Sequence, residues 1–98
     1  MKLYIVEYCA NEFDDLGYES PYPIYYSLDE VKARNFFETK CQNSIENFNL
    51  FMNSHPEFQN NEDYQIVIHE KDELEWYMGN WFYKYVFREV ELNTDLRY

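Results

Sequence analysis

Very little in this chain would break or staple its fold. Its 98 residues include only two glycines, three prolines and two cysteines. So few breakers argue against a linker or low-complexity segment, and without a glycine-rich stretch there is no phosphate-cradling loop. Two cysteines, Cys9 and Cys41, cannot form a disulfide framework, and both are expected as buried free thiols. Basic residues are also scarce, eight against 19 acids, giving a formal charge of −11. A polyanion of this kind would repel phosphates instead of releasing their counterions, so direct binding to nucleic acid or an anionic membrane is not expected. No apolar run reaches the roughly 18–20 residues of a membrane span. The first residues, Met1 to Val6, meet Glu7 before a signal-peptide core could form. A cytoplasmic protein is the expectation, in the host cell cytoplasm if the chain is phage-encoded.

What the chain does have is apolar and aromatic material. Hydrophobic residues make up 46% and aromatics 21%, enough for a core despite the charge. At this length one domain is expected over 1–98, with 93–98 as a frayed tail.

Residues 2–10 and 22–26 read as strands, the second an edge strand because of Pro23. Between them, 11–21 is a polar, acidic loop. Ser27-Leu28-Asp29-Glu30 has the form of a capping box with Ser27 as the cap. Ala33, Phe37, Cys41, Ile45, Phe48 and Met52 then form one helical stripe. The helix runs from 28 to 54, ends before His55-Pro56, and a break near 42–44 is left open. Residues 63–69 alternate as a strand. Residues 71–80 are ambiguous between a helical turn and a loop closing on Gly79-Asn80. Residues 81–92 form the strongest strand, with Trp81, Tyr83, Tyr85 and Phe87 on one face and Phe82, Val86, Val90 and Leu92 on the other. The expected fold is α+β, in the order β-β-α-β-β, an antiparallel sheet with one long helix packed on one face.

The charge is concentrated. Glu12, Asp14, Asp15 and Glu19 give −4 over residues 11–20, with no base. Glu57, Glu62, Asp63, Glu70, Asp72, Glu73 and Glu75 against Lys71 give −6 over residues 57–75. The topology places the first seven of these acids at one end of the domain, and Glu70, Asp72, Glu73 and Glu75 at the opposite end. Such a field suits a basic protein surface, although acids on loops also serve ordinary solubility.

Catalytic chemistry has little support. No serine lies in a Gly-flanked elbow, and neither cysteine has a histidine at a nucleophile's spacing. His55 is placed to cap the last helix carbonyls, and His69 sits on a strand. Cys9, Cys41, His55 and His69 lack paired zinc-ligand spacing. Glu38-Thr39-Lys40 matches the E-x-K of metal-dependent nucleases but falls on a helix. The acidic run 70–75 lacks the glycine of a calcium loop. No enzyme activity, metal or cofactor is expected. Binding is better supported, since tyrosine and tryptophan are favoured interface anchors. Trp81, Tyr83, Tyr85 and Phe87 form a candidate aromatic interface, alternatively core or a homodimer face.

In size, composition and its acid-rich segments 11–20 and 57–75, the chain resembles the small acidic anti-CRISPR and anti-restriction proteins of phages and mobile elements. That resemblance implies a DNA mimic that inhibits a nuclease or other nucleic-acid-binding effector. The second expectation is an intracellular interaction or assembly domain, homodimeric through the aromatic sheet face. A third, a small-molecule enzyme, would need a pocket joining His69 or Cys9 to several acids.

Overall fold

A computed structural model describes residues 1–12 and 20–92. In them the chain forms β1 (Lys2–Glu12), β2 (Tyr22–Ser27), α1 (Glu30–Ser54), a 3₁₀ turn (Pro56–Phe58), β3 (Tyr64–Glu70), β4 (Glu73–Met78) and β5 (Trp81–Glu91). All strands pair antiparallel in one sheet of order β2-β1-β5-β4-β3. The fold is α+β, with a single long helix on one sheet face. The ambiguous 71–80 segment is strand β4, followed by a two-residue turn. Leu74 and Trp76 face the core while Glu73, Glu75 and Tyr77 alternate away, the period of a half-buried strand. Gly79 takes the positive φ of +66° that so short a hairpin turn demands.

The helix is unbroken through 42–44, and its cap is Asp29 where Ser27 was expected. The Asp29 carboxylate accepts the Lys32 N–H at 3.2 Å, while the Ser27 hydroxyl accepts the Asp29 N–H at 2.9 Å. At the far end Pro56 forbids a helical residue before it, and His55 leaves the helix at φ −132°, ψ 71°. Its Nδ1 lies 2.9 Å from the Phe51 carbonyl, the expected capping role. The ring also stacks on Phe51, beside the stacked pair Phe58 and Tyr64. The Gly79 N–H donates to the Asp63 carbonyl at 2.9 Å, tying this connection to the end of the β4–β5 hairpin.

Ala33, Phe37, Cys41 and Phe48 of α1 pack on Tyr4 and Val6 of β1, Leu74 and Trp76 of β4, and Phe87 of β5. Val6 and Ala33 are wholly enclosed. Two irregularities interrupt the ladders. Val6 pairs with Tyr25 but Glu7 with Pro23, leaving Ile24 as an extra residue in β2. Ile66 pairs with Trp76 but Ile68 with Glu75, leaving Val67 extra in β3. Both bulges lie in the outermost strands. The second switches the faces of β3, so that His69, opposite Leu74, joins the helix side.

Candidate functional site

The expected aromatic interface belongs mainly to the core. Phe87 is buried, stacked on Tyr4 and edge-on to Phe37. Tyr83 and Tyr85 pack against Trp76. Only Trp81, at the end of the row, is substantially exposed. The physical reason is coverage: the apolar stripe of α1 must bury against one sheet face, and this face carries the larger apolar surface. A homodimer through it would have to displace the helix.

Among the described residues no helix covers the opposite face of β5, with Phe82, Val86 and Val90, and its cations are bound within the sheet. Lys84 Nζ lies 2.6 Å from Glu73 Oε1, and that contact raises the Lys84 pKa. Arg88 pairs with the buried carboxylate of Glu7. On the helix side Arg34 donates to the Asp72 carboxylate at 2.8 Å and to the Lys71 carbonyl at 2.7 Å, with its guanidinium 3.8 Å from the centre of the Phe87 ring. Lys2 pairs with Glu89 at 2.7 Å.

These pairs sort the candidate acids. Asp72 and Glu73 are held by internal cations, and Glu75 sits opposite Lys84. With Glu70 they lie at or near the β3–β4 turn. That turn does not reach the opposite end of the domain: Glu73 is level with Val86 and Glu7, midway along β1 and β5. The hairpin is shorter than the long strands, and the Phe87 N–H donates to the Asp72 carbonyl at 2.8 Å where it stops. Glu57, Glu62 and Asp63 are exposed at the end marked by Gly79, and Glu12, opposite Trp81, lies at the same end of the sheet with two strands between it and β3. Among the described residues no cation pairs with any of these four. Asp14, Asp15 and Glu19 lie outside the described residues.

Among the described residues, concavities open beside α1 at two places. The smaller, about 340 Å³, lies among Phe48, Phe51, Trp76 and Met78. The larger, about 640 Å³, runs between the flank of α1 and the end of β3. Phe37, Cys41 and Ile45 line its apolar side, and Glu38, Glu46 and Glu70 bring carboxylates to it. His69 and Lys71 complete the wall. No protein-family model, curated protein or solved structure matches the chain. Its chemistry must therefore be read from these residues alone. Among the described residues no group of three or more His, Cys, Asp or Glu is arranged to hold a metal, and no helix is long and apolar enough to cross a membrane.

Sequence reasoning did not find this trough. The i, i+4, i+8 spacing of Glu38, Gln42 and Glu46 was legible, but the wall supplied by His69 and Lys71 depends on the β3 bulge. The trough does unite His69 with several acids.

Burial raises the Cys41 thiol to about 11, with Glu38 adding to the effect, and raises the Tyr8 phenol to about 12. Both groups hold their protons more tightly folded than unfolded, where they titrate near 9 and 10. Their contribution is therefore complete below pH 9 and is lost as pH rises from 9 to 12. Urea midpoints should fall across that interval, and Tyr8→Phe and Cys41→Ala should each flatten the decline. A decline of unchanged slope in both variants would show that these groups do not drive it.

Proposed function

We infer that the protein is a non-enzymatic binding protein whose acidic end seats on a basic surface of a nucleic-acid-binding protein, in competition with the nucleic acid. The supporting observation is the polarity of the charge along the domain. No lysine or arginine occurs between Lys40 and Lys71, the stretch that supplies the second half of α1, the 3₁₀ turn and β3. None occurs between Lys2 and Lys32. Lys84, the one cation of β4 and the adjoining half of β5, is already bound to Glu73. Glu12, Glu57, Glu62 and Asp63 thus share an end with no competing cation nearby. Such an end steers a basic partner and loses its pull as salt rises. Carboxylates presented on a rigid sheet-and-helix frame would stand in for phosphates, and a nuclease or other nucleic-acid-binding effector has the matching surface.

The test is retention of lysate proteins on the immobilised chain. The retained proteins should bind nucleic acid and should be released by duplex DNA and by raised salt. The Glu57→Lys, Glu62→Lys, Asp63→Lys variant, with unchanged circular dichroism, should bind them about 10–100-fold more weakly, as expected for reversed interfacial charges. Equal retention by the variant, or retention insensitive to duplex DNA, would overturn this reading.

A further inference from the structure

The trough between α1 and β3 has a character separate from the acidic end. It exists because one helix cannot cover five strands. The outer strands stand about 19 Å apart at the usual spacing of 4.8 Å, whereas a helix is roughly 10 Å wide. α1 packs most closely on β1, β2 and β5. It reaches the β3–β4 hairpin through Leu74 and Trp76, the Phe51–Tyr64 stack and Arg34 at the turn, and leaves the end of β3 open beside Cys41 and Ile45. The resulting space of about 640 Å³ lies within the 300–1,000 Å³ typical of small-molecule sites. From Phe37 to Glu46 it follows α1 for about 14 Å.

Its lining is chemically asymmetric. At helical spacing, the half-buried Ile45 offers apolar surface, with the buried Phe37 and Cys41 forming the floor behind it. Glu38 and Glu46 stand two turns apart on the same flank, and Glu70 contributes from β3. Among the described residues none of these carboxylates has a cationic partner. Glu46 receives only a 3.4 Å hydrogen bond from Gln42. Lys71, the single lysine or arginine in the lining, forms no ion pair with any of them, leaving a net charge of −2. Glu38, Glu46 and Glu70 are solvent-exposed at the rim of the trough, and their clustered like charge draws a cation to it.

We propose that this trough is a binding site for a small organic cation with an apolar body: the body lies on Ile45, over the floor of Phe37 and Cys41, and an ammonium or guanidinium group reaches Glu38, Glu46 or Glu70. Charge complementarity selects the cation, and the apolar surface selects against simple ions. This site is independent of the acidic end and of its proposed partner.

The probe is 1-naphthylmethylammonium, titrated into the isotopically labelled full chain and followed by amide chemical shifts. Shifts should concentrate at residues 37–46 and 69–71. Binding should be at least tenfold tighter than that of the neutral isostere 1-naphthalenemethanol, with methylammonium and 1-naphthylacetate inactive. Glu38→Gln with Glu46→Gln should weaken it about tenfold. Glu57→Gln with Glu62→Gln, which removes the same charge at a distance, should leave it unchanged. Equal binding of the neutral isostere, shifts centred elsewhere, or equal weakening by the distant pair would overturn the proposal. Binding of oligolysine in place of the small cation would assign the trough to a partner's chain and overturn it as well. Loss of binding at the acidic end with the trough intact would count only against the partner reading.

Discussion

Replacing Phe87 by alanine is expected to cost about 3–5 kcal/mol of folding free energy, the range for truncating a buried phenylalanine. Domains of this kind are stable by roughly 5–15 kcal/mol, so the variant would be marginal at best. The ring sits where three elements meet. It stacks on Tyr4 of β1, meets Phe37 of α1 edge-on, and carries the Arg34 guanidinium 3.8 Å from its centre. Its backbone N–H also holds the β3–β4 turn through the Asp72 carbonyl. Truncation would leave a cavity and loosen Arg34, which anchors that same turn. Phe87→Leu keeps most of the volume but loses the cation–π contact, so its cost should stay below about 2 kcal/mol. Urea unfolding of the three proteins is the measurement. Similar losses for Leu and Ala would place the aromatic contacts above volume.

The second large effect is expected at Arg88. Its partner Glu7 lies on β1, an inner strand of the sheet, with a side chain only 11% exposed, while Arg88 itself, on the central strand β5, is about half exposed. Arg88→Ala would leave a buried carboxylate without its counter-charge, which typically costs about 3–5 kcal/mol in a fully buried pair. The half-exposed arginine places this case at the lower end, near 3 kcal/mol. Removing the stranded charge should restore stability, so Glu7→Gln with Arg88→Ala should be more stable than Arg88→Ala alone. A double variant no more stable than the single one would mean that the loss came from the arginine stem packing on the sheet.

Most of the framework was legible in the chain. Alternation in β1 and β5 and the 4-4-4-3-4 spacing of the α1 stripe are long, consistent signals. What misled was short or non-local. In β4 the acids Glu73 and Glu75 look like solvated loop residues until Lys84 of β5 is laid beside them. Leu74, Trp76, Tyr77 and Met78 therefore leave the segment ambiguous between a helical turn and a loop, when Leu74, Trp76 and Met78 are one face of a strand. The cap moved from Ser27 to Asp29 because both residues can cap, and local pattern does not rank them. For the site, Glu57, Glu62 and Asp63 lie at the Gly79 end, while Asp14, Asp15 and Glu19 of the same expected group fall outside the described residues. The neutralisation of Asp72 and Glu73 was not legible, since it depends on Arg34 and Lys84 arriving from distant elements. The aromatic row was recognised, but its role was settled only by which face the helix chose.

The bulges in β2 and β3 have a consequence for how the molecule meets its own copies. An outer strand with a straight, regular row of free amides is a template for another strand, and repeated addition gives fibres. Here Ile24 and Val67 each interrupt that row near the middle of an outer strand. An incoming strand could pair on either side of the interruption but not across it in one register. Pro23 removes a further donor from β2, and Glu70 adds charge at the end of β3. Among the described residues the sheet therefore ends at five strands, and a chain with eleven tyrosines can remain discrete when concentrated.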